Sequence, residues 1–208
     1  MPPDLRHELS LTGVICGIDE AGRGPLAGPV TAAAVILPAE MPEMLRNRLD
    51  DSKKLSARTR AALFDVILGC AEVGIGWAEV EDIDRLNILQ ATFLAMRRAV
   101  EALGRPVDWA LVDGNQPPPL PCRLRCIVGG DGKSLSIAAA SVIAKVSRDR
   151  RMTTLAERFP DYGWERNAGY GTALHMAALR RLGPSPHHRR SFAPVADLFD
   201  NPWNPDSS

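Results

Sequence analysis

Hydrophobic and polar positions follow a strand-like pattern at the start of the chain and alternate between strand and helix patterns afterwards. Two β-branched or small apolar runs come first, GVICGI (13–18) and PVTAAAVIL (29–37), and short runs of this kind predict buried strands. Further strands are predicted over 74–80, 107–112 and 123–128. Strands at the start, followed by strands and helices in alternation, indicate an α/β domain with a mixed sheet.

Helices are predicted where apolar residues recur every three or four positions. These segments are 56–72, 84–103, 134–159 and 172–182. Ser56, Ser134 and Thr172 stand at the starts of three of them and are expected N-caps. The part of the chain after Phe159 reads as a helical, basic lobe, and we expect the polar, proline-containing tail from 196 to 208 to fray.

The composition is that of a globular protein. The chain has 208 residues, of which 45% are hydrophobic and 24% charged, so it can bury a core without disulfides and is not a disordered chain. The first residues contain no apolar signal segment, and the apolar stretch 27–37 is too short to cross a bilayer. Four scattered cysteines fit reduced thiols, and we expect a cytoplasmic protein.

Charge is balanced over the whole chain but not along it. Twenty-five Lys and Arg match 25 Asp and Glu, yet the segment 122–190 has 13 basic and 5 acidic residues. A basic C-terminal half fits a polyanionic partner such as nucleic acid. Solvated helix surfaces explain the same excess, so charge alone does not identify the partner.

Candidate chemistry begins at the end of the first strand, in the segment GIDEAGRGPLAGP. There Asp19 and Glu20 are followed closely by Gly22, Arg23 and Gly24. Adjacent strand residues face opposite sides of a sheet, so both carboxylates can serve one site only if the strand ends there and the glycines bend the chain. The exposed backbone N–H groups of such a turn, together with the arginine, can bind a phosphate or a sugar hydroxyl.

Two further carboxylates stand in similar places. Asp113 ends an apolar strand in VDWALVDGN, and Asp131 lies in the glycine loop VGGDGKS before a long helix. Because ligands of open α/β sheets bind beyond the carboxyl ends of strands, these residues are expected to converge with the Asp19-Glu20 pair. Clustered carboxylates repel one another, and oxygen ligands favour Mg²⁺ or Mn²⁺. Two such ions form a two-metal phosphoryl-transfer site.

Asp149 is the alternative to Asp131 as the fourth carboxylate. On a regular helix it would lie about 22 Å along the axis from Ser134, whereas Asp131 precedes the helix and is nearer to the strand ends. We therefore favour Asp131 and expect Asp149 to pair with its arginine neighbours at the surface.

Six segments together resemble the type 2 ribonucleases H, the ribonuclease HII family. They are DEAGRGP, DSKKLS, VDGN, GDGKSLSIAAASVIAKVSRDR, GYGTALH and HRRSF, and they occur in the family's order over nearly the whole chain. The resemblance implies an RNase H-like mixed β-sheet flanked by helices, with a C-terminal helical lobe. It implies one domain over 1–208, with a core at about 13–160, a substrate-binding lobe at about 161–195 and the frayed tail at 196–208.

The resemblance also implies an activity. It is that of a metal-dependent endoribonuclease that hydrolyses the phosphodiester at ribonucleotides, both in RNA–DNA hybrids and embedded in duplex DNA. The products would carry 5′-phosphate and 3′-hydroxyl ends, as ribonucleotide excision repair requires. The implied cofactor is Mg²⁺ or Mn²⁺, with two ions during catalysis, and the implied partner is nucleic acid. We expect a monomer that does not bind membranes.

Site residues carry over from the family motifs to positions of this chain. The implied catalytic and metal-binding carboxylates are Asp19, Glu20, Asp113 and Asp131. The turn that senses the ribose 2′-hydroxyl would be Gly22, Arg23 and Gly24, and the tyrosine that packs on the sugar would be Tyr170.

Basic residues outside these motif positions are candidate phosphate contacts. Lys53 is placed to bind a phosphate near the site, and a larger set is expected to follow the duplex backbone: Lys145, Arg148, Arg180, Arg181, Arg189 and Arg190. Contacts of this kind add affinity without reading base identity. For His175 and His188, packing within a loop and contact with a phosphate stay open.

Two other functions remain possible at this point. Another two-metal nuclease, such as a junction resolvase or an exonuclease, would share the carboxylates but gives no reason for the Gly-Arg-Gly turn. A nucleic-acid-binding protein without catalytic activity would use the basic half alone. It would tolerate the loss of Asp113, whereas the enzyme would not.

Overall fold

The computed structural model describes residues 2–200, and its main sheet has five strands. In chain order they are β1 (Ile15–Ala21), β2 (Val30–Ile36), β3 (Glu72–Ala78), β4 (Trp109–Asp113) and β5 (Arg123–Ile127). Their spatial order is β3-β2-β1-β4-β5. β2 is antiparallel to both β1 and β3, whereas β1, β4 and β5 are parallel. The predicted α/β domain with a mixed sheet is confirmed.

Nine helices accompany the sheet within the described residues. They are α1 (Arg6–Leu9), α2 (Glu43–Arg48), α3 (Ala57–Cys70), α4 (Val80–Leu86), α5 (Ile88–Glu101), α6 (Leu135–Arg158), α7 (Trp164–Asn167), α8 (Ala173–Leu182) and α9 (Ala193–Asp200). The three expected N-caps are confirmed. The hydroxyls of Ser56, Ser134 and Thr172 each accept a hydrogen bond from the backbone amide three residues later.

Two helix predictions were wrong. The single helix expected over 84–103 is divided at Asn87, which has φ +71° and accepts hydrogen bonds at its side-chain oxygen from the amides of Leu89 and Gln90. An N-cap inside the apolar pattern therefore starts a second helix. The tail expected to fray from 196 is helical as far as Asp200, because Val195 is buried against the C-terminal helices. The rest of that tail, 201–208, lies outside the described residues.

Helices cover both faces of the sheet. On one face α6 and α3 pack on β2, and on the other α5 packs on β2 and β3. Gly17 on β1 allows α6 to approach closely, since a Cβ there would overlap the backbone of Ser136 and Ile137. This contact brings the N-terminal end of α6 against the strand that carries Asp19.

The C-terminal helices form a third cluster, around Trp164 and Leu179 and against the second half of α6. Leu26, in the loop between β1 and β2, belongs to the same cluster. Its N–H donates to the carbonyl of Gly169 at 2.8 Å, and its carbonyl accepts from the amide of Arg189 at 2.8 Å. The loop after β1 is therefore held between two segments of the C-terminal part.

Candidate active site

Three carboxylates meet at one edge of the sheet. Asp19 on β1, Asp113 at the end of β4 and Asp131 in the short turn before α6 each place an oxygen within 4.8 Å of the other two. β1 and β4 are adjacent parallel strands on which Ile18 lies opposite Val112. Asp19 and Asp113 are the next residues on these strands, so the sheet brings them to the same edge. The expected convergence of these three residues is what the structure shows.

A backbone contact holds the turn with Asp131 beside β4. The amide of Gly130 donates to Oδ1 of Asp113 at 2.6 Å, so one carboxylate of the cluster fixes the segment that supplies another. Asp149, the alternative to Asp131, lies apart and pairs with Nζ of Lys145 at 2.8 Å. Its partner is this lysine rather than a neighbouring arginine.

Glu20 reaches the site differently from the other three. β1 continues through Ala21, with Glu20 opposite Ala32 of β2, so the expectation that the strand ends at the Asp19-Glu20 pair was wrong. Glu20 is not part of the three-oxygen cluster, and Nη1 of Arg23 donates to its Oε1 at 3.4 Å. Burial raises the pKa of Glu20, Arg23 opposes the shift, and the charge of Asp113 adds to it.

Burial and mutual repulsion both raise pKa values within the cluster. Burial, followed by the charges of Glu20 and Asp113, raises the pKa of Asp19 well above its usual range. Burial and the charges of Asp113 and Asp51 raise the pKa of Asp131. Both shifts oppose the ionised form in the absence of a neighbouring cation.

Lys53 responds to the same charges. Burial alone would lower the pKa of Lys53, but the charges of four aspartates outweigh it and raise the pKa: Asp19, Asp51, Asp131 and Asp113. One ammonium group does not neutralise a cluster of this size. The cluster is made of oxygen donors, which fit hard divalent cations such as Mg²⁺ or Mn²⁺.

A cleft of about 320 Å³ opens beside Glu20. All the predicted substrate-binding residues line it: Gly22, Arg23, Gly24, Lys53 and Tyr170. Tyr170 is 46% exposed, and its ring edge lies over Gly24, where Cε1 is 3.6 Å from the position a Cβ would take. The Gly-Arg-Gly turn (residues 22–24) and an exposed aromatic ring therefore face each other across one cleft.

Three residues near the carboxylates were given no role from the sequence: Asp51, Ser52 and Ser141. Ser141 of α6 hydrogen-bonds Ser52 at 2.7 Å and helps to lower the pKa of Asp19 against the larger effect of burial. Asp51 perturbs Asp131, as described above. All three residues stand in the family segments DSKKLS and GDGKSLSIAAASVIAKVSRDR, but the segments alone gave none of them a role.

The two histidines with open roles take part in packing. Nε1 of Trp164 donates to Nε2 of His175 at 3.1 Å, and Nε2 of His188 lies 3.0 Å from the same nitrogen. Nδ1 of His175 lies 2.9 Å from the carbonyl of Tyr170. Burial lowers the pKa of both histidines, and that of His188 to about 3. They are neutral and support the backbone of the Tyr170 loop.

Two arginines expected to follow the duplex are buried, so that prediction was wrong for them. Arg148 is 1% exposed and Arg189 0%. Both donate to backbone carbonyls, including those of Pro29 and Gly28, and Arg148 also borders the cleft beside Glu20.

Two expectations about the environment can be compared with the structure. No helix within 2–200 is both long enough and apolar enough to cross a membrane. All four cysteines, Cys16, Cys70, Cys122 and Cys126, are free thiols.

Comparison with known proteins gives consistent results over most of the chain. A family model described as Ribonuclease HII matches residues 16–195. A Ribonuclease HII of Paramagnetospirillum magneticum is 68% identical over 95% of this chain and 98% of that protein. A second, from Rhodospirillum rubrum, is 62% identical over 95% and 92%.

Solved structures agree in fold. The ribonuclease H2 of Pyrococcus horikoshii superposes with a TM-score of 0.75 at 24% identity, over 90% of this chain and 98% of that one. A Bst-RNase HIII in complex with Mn²⁺ gives a TM-score of 0.74 at 16% identity, over 90% and 69%.

Proposed function

The chain belongs to the ribonuclease HII family, and from this premise we propose how its own residues recognise and cleave the substrate. The protein is a metal-dependent ribonuclease H that acts on nucleic acid and cleaves RNA in RNA–DNA hybrids and at embedded ribonucleotides. Its RNase H-like α/β fold is the one the motifs implied.

Asp19, Glu20, Asp113 and Asp131 are the residues we assign to catalysis and to divalent metal, with Mg²⁺ or Mn²⁺ as the ions. The support is that Asp19, Asp113 and Asp131 each place a carboxylate oxygen within 4.8 Å of the other two, close enough to ligate one ion together, and that Glu20 follows Asp19 on β1. When bound, two ions would supply the positive charge that activates the attacking water and stabilises the leaving oxygen.

The Gly-Arg-Gly turn is the part of the site that we assign to ribose recognition. The 2′-hydroxyl both donates and accepts hydrogen bonds and distinguishes RNA from DNA, and the backbone of Gly22 and Gly24 can approach it without a side chain in between. Tyr170 lies across the cleft and would pack on the adjoining sugar, and Lys53 would bind a phosphate. A 2′-hydroxyl held by this turn is a recognition group and not the nucleophile. The products then carry 5′-phosphate and 3′-hydroxyl ends.

One observation carries this proposal: β1 supplies Asp19 to the acidic cluster and Glu20 to the cleft, and the Gly-Arg-Gly turn that follows β1 lines the same cleft as Glu20. The test is a DNA duplex with one ribonucleotide, incubated with Mg²⁺ or Mn²⁺ beside an all-DNA control. We expect a single cut at the ribonucleotide, with a 3′ end that a DNA polymerase extends directly. Cleavage of the control at an equal rate, or a 2′,3′-cyclic phosphate product, would contradict the assignment.

We also propose that a single chain is sufficient and acts in the cytoplasm, in the excision of ribonucleotides from DNA. In this proposal the core at about 13–160 holds the carboxylates, and the lobe at about 161–195 contributes Tyr170. Every assigned residue lies on one chain, and four free thiols suit a reducing compartment. Light scattering during gel filtration should give the 22.6 kDa mass of one chain. Activity confined to a larger species would contradict this part.

A further inference from the structure

Two arginines are wholly buried beside the loop that follows β1. Arg148 comes from α6 and Arg189 from the segment after α8, and their exposed fractions are 1% and 0%. Among the described residues, neither forms an ion pair with a carboxylate. An isolated buried charge is unfavourable unless hydrogen bonds replace its hydration, so the partners of these two groups show what they stabilise.

Within the described part of the chain, every hydrogen bond that the Arg189 guanidinium donates goes to the loop 22–28. Nη1 donates to the carbonyl of Arg23 at 2.9 Å, Nη2 to that of Gly22 at 2.5 Å, and Nε to that of Gly28 at 3.0 Å. A guanidinium is a rigid planar fork of donors, so these bonds fix the carbonyls relative to one another. Two of the three acceptors belong to the Gly-Arg-Gly turn.

Arg148 joins the same loop to the loop of Tyr170. Nε and Nη2 donate to the carbonyls of Pro29 at 2.9 Å and Ala27 at 3.1 Å, and Nη1 donates to that of Ala168 at 2.9 Å. Ala168 has φ +48°, a left-handed conformation that a non-glycine residue rarely adopts without support. Arg148 supplies a contact that holds this residue, two positions before Tyr170.

Packing leaves little freedom for these contacts to change. Gly22 has φ +96°, and an added Cβ there would overlap the side chain of Arg148. Gly169 has φ +84°, and an added Cβ would lie against the carbonyl of Ala27. The turn, the tyrosine loop and the two guanidinium groups therefore form one closely fitted unit.

We propose that Arg148 and Arg189 are positioning residues for ribose selectivity. Arg148 borders the cleft and Arg189 is wholly buried, and both guanidinium groups donate to backbone carbonyls. Through those carbonyls they set the distance between the Gly-Arg-Gly turn and Tyr170 at which a 2′-hydroxyl is required. This inference rests on the proposed function of that turn and assigns its specificity to two residues that act through the backbone of the turn. Surface arginines differ from these two, because the loss of a surface arginine would weaken the binding of every duplex to the same extent.

The test replaces each arginine by lysine, which keeps the charge but not the planar fork of donors. Dissociation constants for a duplex with one ribonucleotide and for its all-DNA equivalent are measured in an Asp113→Asn background, so that neither is cut. In each variant we expect the preference for the ribonucleotide to fall about tenfold, as for one lost hydrogen bond, with all-DNA affinity unchanged within about twofold. Single-turnover cleavage in the otherwise unchanged protein should fall about 10²-fold, as misplacement of reacting groups by about 1 Å can do.

Two control variants separate positioning from general destabilisation. Arg98→Lys removes an arginine that donates to the carbonyl of Trp77 at 2.6 Å, away from the cleft. Ile67→Ala removes buried volume from α3 and lowers stability without touching the loop. Both should keep the full preference for the ribonucleotide, and thermal melting shows that each variant is folded.

Each outcome has a definite meaning. Lysine variants that keep the preference, or lose affinity for both duplexes equally, overturn the proposal. If one variant does not fold, the other decides, because the two arginines reach the loop from different elements. If neither variant folds, the arginines are required for folding and the proposal is overturned. An Asp113→Asn parent that binds both duplexes equally would instead refute the proposed function of the turn before either arginine is changed.

Discussion

Replacing Asp113 by Asn should stabilise the protein in the absence of divalent ions while abolishing its activity. The amide is nearly isosteric with the carboxylate, and its oxygen can still accept the hydrogen bond from Gly130. The substitution therefore removes a charge from the cluster without opening a cavity or leaving the Gly130 amide without a partner. Its effect on stability reports the repulsion among the carboxylates.

The size of the effect follows from the geometry of the cluster. Two unit charges separated by 4.8 Å repel by about 3–4 kcal/mol at an effective dielectric constant of about 20. Two factors reduce this value: Lys53 loses an attractive partner, and burial raises the pKa of Asp19, which disfavours its charged form. We expect a net gain of about 1–2 kcal/mol, which corresponds to a melting temperature higher by roughly 3–6 °C in a chain of this size.

The assay is thermal melting of parent and variant with a chelator and again with excess Mg²⁺. A ligand that binds the folded state at a hundred times its Kd adds about 2.7 kcal/mol, so the parent should gain more from Mg²⁺ than the variant and the difference should narrow or reverse. Turnover should fall by more than about 10²-fold. A variant that is less stable than the parent in chelator, with the same response to Mg²⁺, would refute the repulsive-cluster explanation.

Three further outcomes follow from the same structure. Gly22→Ala should lower kcat/KM by about 10²-fold, because its φ of +96° and the side chain of Arg148 leave no room for a Cβ. Gly69→Ala, where a Cβ meets nothing within 4 Å, should cut like the parent. An equal loss of kcat/KM in the two variants would contradict this prediction. Tyr170→Ala should lower kcat/KM about tenfold through lost stacking. Tyr170→Phe should keep the parent's kcat/KM, since the contact is assigned to the ring and not to the hydroxyl. Full activity of the alanine variant would exclude a stacking role for Tyr170. Between pH 6.5 and 5 the free energy of unfolding should fall by about 2 kcal/mol. Burial lowers the pKa of His188 from 6.5 to about 3, so in this pH range the histidine takes up a proton only in the unfolded chain. Urea titrations at a series of pH values measure this loss, and a His188→Gln variant with the same pH dependence would contradict it.

The convergence of Asp19, Asp113 and Asp131 could be predicted because each stands at the end of a locally recognisable element. Short apolar runs define the strands. Because ligands of open α/β sheets bind beyond the carboxyl ends of the strands, the residues at those ends are expected to meet at one edge of the sheet. The role of Glu20 was harder to predict. Whether β1 stops at Asp19 or continues to Ala21 depends on pairing with β2, which no local pattern specifies.

The burial of Arg148 and Arg189 could not be predicted from sequence. Arginine is rarely buried, and all but one of the carbonyls that make it acceptable here come from residues more than a hundred positions away, the exception being Ala168. Helix α9 was missed for a different reason. The polar residues and prolines after 195 were taken as signs of a frayed tail, but Pro194 stands in the first turn of α9, where proline is well tolerated, and the burial of Val195 depends on tertiary contacts.

The positions of the two buried arginines along the polypeptide have a consequence for biosynthesis. A ribosome delivers the Gly-Arg-Gly turn early, together with the first two carboxylates, and Asp131 emerges before either Arg148 or Arg189. During translation the acidic residues are thus all present while the groups that hold the turn are still missing. On the proposed role of Arg189, selectivity for ribose would be acquired only when nearly the whole polypeptide has left the ribosome.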